Sequence, residues 1–241
     1  MLRSLTFLAI PLATLVVFAP LCVLLVLPRR FCLAVVRTVI RGWLWALKVL
    51  CGLTYEVRGR DHLDAAGPCL VAAKHQSAFE TLALQVILDD PAIVLKRELT
   101  YIPVAGWAMW RLKHIAIDRG AGAPALMSLI RTAKARLREG RSVVIFPEGT
   151  RRAPGAPPDY KPGVVALYRA LNVPCIPVAL NSGVFWPRRS LWRHSGTIVI
   201  DILPPIAPGL RPDAFSDRLQ EAIEHRSQAL AEPQRTGPAH P

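Results

Sequence analysis

"PCLVAAKHQSAFETLALQVI", Pro68 to Ile87, is the stretch whose reading decides the fold class. "PCLVAA" is a short apolar run of the kind that forms a strand buried on both faces. Lys74, His75 and Gln76 emerge at its end. Ser77 then stands where a helix cap would, ahead of a helix whose apolar face includes Phe79, Leu82, Val86 and Ile87. Ser77-x-x-Glu80 has the spacing of a capping box, in which the glutamate reaches back to the cap. From the same position Glu80 also reaches the ring of His75. A lone histidine beside a lone carboxylate is a weak sign of catalysis, so both readings stay open at this point.

The strand-then-helix alternation continues outward. Strands are predicted at Thr54–Arg58, Cys69–Ala73, Ala92–Leu95, His114–Ile117, Ser142–Phe146, Cys175–Leu180 and Gly196–Leu203. Helices are predicted at Ala78–Leu88, Val104–Arg111, Ala125–Arg138, Gly163–Ala170 and Ala214–Leu230. Regular alternation predicts one layered α/β domain with a mixed, mostly parallel sheet, over residues 54–230. Sites in such sheets gather in the loops at the strand ends. "RRAPGAPPDYKPG", Arg151 to Gly163, reads as a proline-rich surface loop, and residues 231–241 as a flexible tail.

Residues 1–53 have a different composition and are read as a pair of membrane-anchoring helices. Leu5 to Leu27 carries no charge and is bracketed by Arg3 and by Arg29 and Arg30. It is long enough to span a bilayer, although Pro11 and Pro20 favour a kinked or re-entrant path. It is too long for the apolar region of a secretory signal. Phe31 to Leu53 is apolar except for Arg37, Arg41 and Lys48, which fall on one helical stripe beside Trp43 and Trp45. We read it as an amphipathic helix lying on an anionic leaflet, because each charge at membrane depth costs about 2.5 to 3.5 kcal/mol. The excess of Arg and Lys after the first segment puts the rest of the chain on the cytoplasmic side of the inner membrane.

The whole chain of 241 residues has 30 Lys and Arg against 17 Asp and Glu, a formal charge of +13. That balance selects an anionic partner. With this much apolar sequence, and with no groove-reading helix or base-stacking motif, the partner is a membrane surface or a phosphorylated small molecule rather than nucleic acid. The five cysteines show no paired or metal-ligand spacing and read as reduced thiols.

A second segment bears on chemistry. "VVIFPEGTR", Val143 to Arg151, runs from a buried strand into a tight turn carrying Glu148, Gly149, Thr150 and Arg151. Glycine permits the turn and close approach of a ligand, and arginine offers a planar fork suited to phosphate. Taken alone, this is also compatible with an ordinary solvated loop.

Together with "HQSAFE", "IDR" at Ile117 to Arg119 and "VPCIPVAL" at Val173 to Leu180, however, "FPEGTR" resembles the four sequence blocks of the glycerolipid acyltransferase family, in their order and approximate spacing. The likeness covers roughly Tyr55 to Pro205 and points to the bacterial enzymes that acylate 1-acyl-sn-glycerol-3-phosphate. It implies that His75 is the general base for the sn-2 hydroxyl of lysophosphatidic acid. Glu80 stands where the family usually has aspartate, orienting the imidazole. Lys96, Arg119 and Arg151 would hold the acceptor phosphate, and Gly149 and Thr150 would join them as substrate-binding residues. Glu148 would position the acceptor or brace that loop. The donor would be acyl-CoA or acyl carrier protein, the product phosphatidic acid for phospholipid biosynthesis, with no cofactor, metal or covalent acyl-enzyme.

The second block departs from the family pattern, with Lys113 for glycine and Ala116 for phenylalanine. Head-group identity is therefore not fixed by the resemblance: another lysophospholipid, glycerol 3-phosphate or a lyso-aminolipid stays open as acceptor. A catalytically silent basic membrane module is the alternative from another class. His114, inside that block, has no matching acid and reads as a structural histidine. "FWPRRSLWR", Phe185 to Arg193, interleaves aromatics with arginines and reads either as packing or as a contact with the membrane or an acidic carrier protein.

Overall fold

The computed structural model describes Pro11 and residues 28–235. The uncharged stretch from Leu5 to Leu27, read above as the first membrane segment, lies outside the described residues apart from Pro11. Among the described residues, no helix is long and apolar enough to cross a membrane.

All seven predicted strands form and join one sheet: β1 (Leu53–Arg58), β2 (Leu70–Ala73), β3 (Ala92–Lys96), β4 (Ile115–Ile117), β5 (Val143–Ile145), β6 (Cys175–Leu180) and β7 (Gly196–Ile202). Their order is β1-β7-β6-β2-β5-β3-β4. Strands β2 to β6 all run in one direction, and only the β6/β7 pair is antiparallel. The sheet is thus mixed and mostly parallel, as the alternation predicts.

β2 is central, and its burial explains why it reads as an unbroken apolar run. Val71 and Ala73 point into one core layer, Leu70 and Ala72 into the other, and none of the four is more than 1% exposed. The first layer is covered by α1 (Arg29–Cys51) and α3 (Phe79–Ile87). The second packs under α5 (Gly122–Arg138), α6 (Pro162–Leu171) and α8 (Pro212–Arg235). Three short helices complete the described part: α2 (Asp61–Ala66), α4 (Ala105–Arg111) and α7 (Ser182–Phe185), with a 3-10 turn at Arg97–Tyr101. α2, the 3-10 turn and α7 are absent from the sequence reading, because four to six residues carry no helical period. The last helix also continues to Arg235, into the expected tail.

α1 corrects part of the membrane reading. The helix forms where an amphipathic one is predicted, but Ile40, Leu44, Ala46 and Leu47 are buried in the same core as the sheet. Arg37 does not face a leaflet. Its Nε donates to the Gln85 carbonyl at 3.2 Å and its Nη2 to the Leu88 carbonyl at 2.5 Å, so it satisfies the open carbonyl end of α3. Arg41, Trp45 and Lys48 remain exposed on the outer face.

Candidate active site

Because β2 to β6 are parallel, their carboxyl ends open along one edge, and the loops that follow them bring the sequence blocks together. His75 follows β2, Lys96 ends β3, Arg119 follows β4, and Phe146 to Arg151 follows β5.

The centre of the arrangement is a carboxylate with no exposure. Oε1 of Glu80 lies 2.9 Å from Nδ1 of His75 and also accepts the backbone N–H of Gln76 at 2.6 Å and of Ser77 at 2.8 Å. Oε2 accepts the hydroxyls of Ser77 and Ser182, both at 2.8 Å. Burial alone would push the Glu80 carboxyl up; the hydrogen bond and charge of His75, with the Ser77 N–H, outweigh it and hold the group below its ordinary range. An ionised carboxylate only accepts, so the proton on the shared edge sits on Nδ1, and whenever the ring is neutral its lone pair is on Nε2.

Half of the capping box forms. Glu80 reaches back to the Ser77 N–H as that pattern requires, but α3 starts at Phe79 and Ser77 Oγ accepts from the Phe79 N–H at 3.0 Å. The imidazole is clamped from its face as well, stacked on Phe146 with ring centroids 4.2 Å apart.

His75 lines a cavity of about 720 Å³. On one side its wall is apolar, built by Val36, Val39 and Ile40 of α1, Leu82 of α3, and Ala108 and Met109 of α4. On the other side stand Lys96, Arg119, Gly149, Thr150 and Arg151. Arg119 donates to the Gly149 carbonyl, fixing the turn. Burial pulls the Arg119 guanidinium below its ordinary value, with the charge of Glu98 opposing. Lys96 pairs with Glu98 at 2.9 Å, while Thr150 and Arg151 are exposed. Gly149 has φ +65°, a backbone that suits glycine and turns the chain toward Arg119.

Glu148, expected either to position an acceptor or to brace the loop, is turned into the protein interior. Its side chain is fully buried, outside the cavity lining, with Oε1 2.8 Å from Nζ of Lys74. Lys74 also donates to both oxygens of Glu224 on α8, at 2.6 and 2.7 Å, and Tyr160 donates to Glu224 at 3.0 Å. Burial pushes the Glu148 carboxyl up, against the pull of Lys74.

Comparison with known proteins identifies the family. The acyltransferase family model matches residues 54–181. A 1-acyl-sn-glycerol-3-phosphate acyltransferase of Pseudomonas aeruginosa is 38% identical over 201 residues, covering 81% of this chain and 78% of that protein. The alpha form from Ovis aries is 31% identical over 77% of this chain and 67% of its own. The crystal structure of the 1-acyl-sn-glycerophosphate acyltransferase PlsC from Thermotoga maritima superposes with a TM-score of 0.76, at 20% identity, over 95% of this chain and 96% of that one. The chain belongs to the acyltransferase family. It is therefore an enzyme, and the silent-module alternative falls away.

Several residues of this acyltransferase site are invisible to sequence reasoning. Ser182 completes the shell of Glu80 from α7, 102 residues away, and the only local hint is "NSG" after the fourth block. Gly183 donates its N–H to Gln76 Oε1 at 2.9 Å, and a Cβ there would come within 2.8 Å of Pro154, so this close approach needs glycine. Arg188 and Arg189, exposed residues of the segment that interleaves aromatics with arginines, line the same cavity. His114 also reaches the cavity wall, its Nδ1 accepting the Ile93 N–H at 3.2 Å. The described cysteines, Cys32, Cys51, Cys69 and Cys175, are unpaired thiols, and burial raises each of them.

Proposed function

We propose that this acyltransferase moves a fatty acyl group from a thioester of CoA or acyl carrier protein to the sn-2 hydroxyl of 1-acyl-sn-glycerol-3-phosphate, giving phosphatidic acid. The observation that carries the reading is one cavity in which a carboxylate-backed imidazole lies between an apolar wall and a cationic rim. An acceptor with a hydrocarbon tail and a phosphate head fits both sides of such a cavity. The names of the relatives support the same acceptor.

In this mechanism Nε2 of His75 takes the proton of the acceptor hydroxyl as that oxygen attacks the thioester carbonyl. Glu80 holds the ring on its Nδ1 side and stabilises the imidazolium that forms. The tetrahedral intermediate collapses with loss of the thiolate, which recovers the proton from Nε2. The hydroxyl's hydrogen thus ends on the thiol, and no covalent acyl-enzyme or metal enters. Arg119, Arg151 and Lys96 neutralise the acceptor phosphate. Attachment to the cytoplasmic face of the inner membrane would rest on Leu5 to Leu27, aided by the outward Arg41, Trp45 and Lys48 of α1.

The test is transfer by the purified, detergent-solubilised protein with acyl-CoA or acyl carrier protein as donor, following thiol release and product mass. Lysophosphatidic acid is expected to outrun other lysophospholipids, glycerol 3-phosphate and lyso-aminolipids, and His75→Ala to abolish release. Equal release by His75→Ala would sink the mechanism, and preference for another acceptor would replace the substrate.

A further inference from the structure

Two arginines beyond the sequence blocks occupy the cavity mouth on a built turn. Ser190 N–H donates to the Pro187 carbonyl at 3.2 Å, closing a four-residue turn with Arg188 and Arg189 at its two central positions. Arg189 has φ +61°, the backbone that a type II turn demands of its third residue and that favours glycine there. An arginine kept in that conformation at a cavity mouth points to a use for the side chain.

The turn is anchored. His194 N–H donates to the Phe185 carbonyl at 2.9 Å, Arg193 lies over the ring of Trp186 at 4.2 Å and donates to the Ser190 carbonyl at 2.9 Å. Arg188 donates to the Arg151 carbonyl at 2.9 Å.

The Gly149 to Arg151 turn therefore has an arginine on each flank, Arg119 on the carbonyl of Gly149 and Arg188 on that of Arg151. Arg151, Arg188 and Arg189 have no carboxylate partner among the described residues. Taking the reading under Proposed function as given, two substrates meet at His75, and both carry phosphate. The Arg119 flank, with Lys96, accounts for the acceptor. We propose that the Arg188-Arg189 turn is a second anion subsite, for the phosphate of the donor's 4′-phosphopantetheine arm. That phosphate is common to acyl-CoA and acyl carrier protein, and neither flank then has to neutralise both substrates.

The probes are S-acyl-4′-phosphopantetheine and S-acyl-pantetheine, identical but for the phosphate. The unmodified enzyme is expected to use the first with a kcat/KM roughly ten- to a hundred-fold higher, the range for a charge-assisted hydrogen bond. Arg189→Gly, which leaves the tie of Arg188 to the Arg151 carbonyl in place, should narrow that gap while KM for lysophosphatidic acid moves by less than about twofold, and adding Arg188→Ala should close it. Arg189→Gly relieves a left-handed backbone, so loss of folding does not explain its effect. KM for acyl-CoA and for acyl carrier protein should rise in parallel. The proposal is overturned if the gap persists in the double variant, if KM for the acceptor rises instead, or if only acyl-CoA is affected, which would assign the turn to its nucleotide phosphates. Failure of the underlying reading looks different: the unmodified protein would then transfer from no donor to lysophosphatidic acid.

Discussion

His75 and Glu80 are joined through a single oxygen that has two other duties: the Oε1 that meets Nδ1 at 2.9 Å also holds the backbone N–H groups of Gln76 and Ser77. The loop that carries the histidine and the carboxylate that orients it are thereby one rigid unit. Reaching back to the chain before the helix and pairing with the imidazole are the same act, and the side chain does not choose between them.

This arrangement separates charge from shape. In Glu80→Gln an amide oxygen still accepts the three N–H bonds at Oε1, while the amide nitrogen donates to the hydroxyls of Ser77 and Ser182. Folding should be nearly unchanged, but the imidazolium loses its counter-charge, and kcat should fall on the order of a hundred-fold with little change in KM. Glu80→Asp keeps the charge and shortens the reach by one methylene, so it should retain much more activity at some cost in melting temperature. A Gln variant as active as the parent would leave Glu80 a purely structural group.

The buried Lys74–Glu148 pair predicts an asymmetry of a different kind. Lys74→Met takes the cation from Glu148, which has no exposure, as well as from Glu224, and should cost about 3 to 5 kcal/mol. Adding Glu148→Gln removes the stranded charge, so the double variant should recover a good part of that loss in urea unfolding. Simple additivity of the two changes would show that the pair is not coupled. The sign with pH is also fixed. The Glu148 carboxyl is raised in the folded state, so its protonated form favours folding, and in Lys74→Met the deficit should shrink as pH falls toward that raised value.

What the sequence could reveal was limited by range. β2 was legible because a strand buried on both faces reads as an unbroken apolar run, and the four blocks because each is contiguous. Lys74 meets Glu224 across 150 residues, and Ser182 meets Glu80 across 102, with no local pattern to announce either contact. Arg37 shows a related limit. Helical periodicity placed it on a stripe, but which side of that stripe faces protein was settled by the open carbonyls at the end of α3.

The cationic rim predicts a division of labour in kinetics. Arg119→Ala and Arg151→Ala should raise KM for lysophosphatidic acid roughly ten-fold, since each removes a charge-assisted contact made in ground and transition states alike. The effect of added salt on KM should weaken in both variants, because fewer ionic contacts remain to be screened. Arg119→Ala has a second consequence, loss of the tie to the Gly149 carbonyl, so it should lower kcat more than Arg151→Ala does. Loss of kcat alone, with KM unmoved, would remove these residues from phosphate binding.

His114 gives a pH dependence with a defined window. Burial first, and then the charge of Arg141 with a smaller push from Arg29, hold its imidazole at about 3 against an ordinary 6.5, with Asp90 opposing. Its Nδ1 accepts the Ile93 N–H, a bond that only the neutral ring with its proton on Nε2 makes. The folded pKa lies below the unfolded one. As pH falls from about 6.5, the unfolded chain takes up a proton that the folded chain refuses, and stability declines until about pH 3. His114→Asn places a non-titrating oxygen near the position of Nδ1 and keeps an acceptor for Ile93. Its urea midpoint should therefore fall less between pH 7 and pH 5 than that of the parent, with the two converging in slope above about pH 7. Identical slopes across that interval would show that His114 titrates in the folded protein as it does in water.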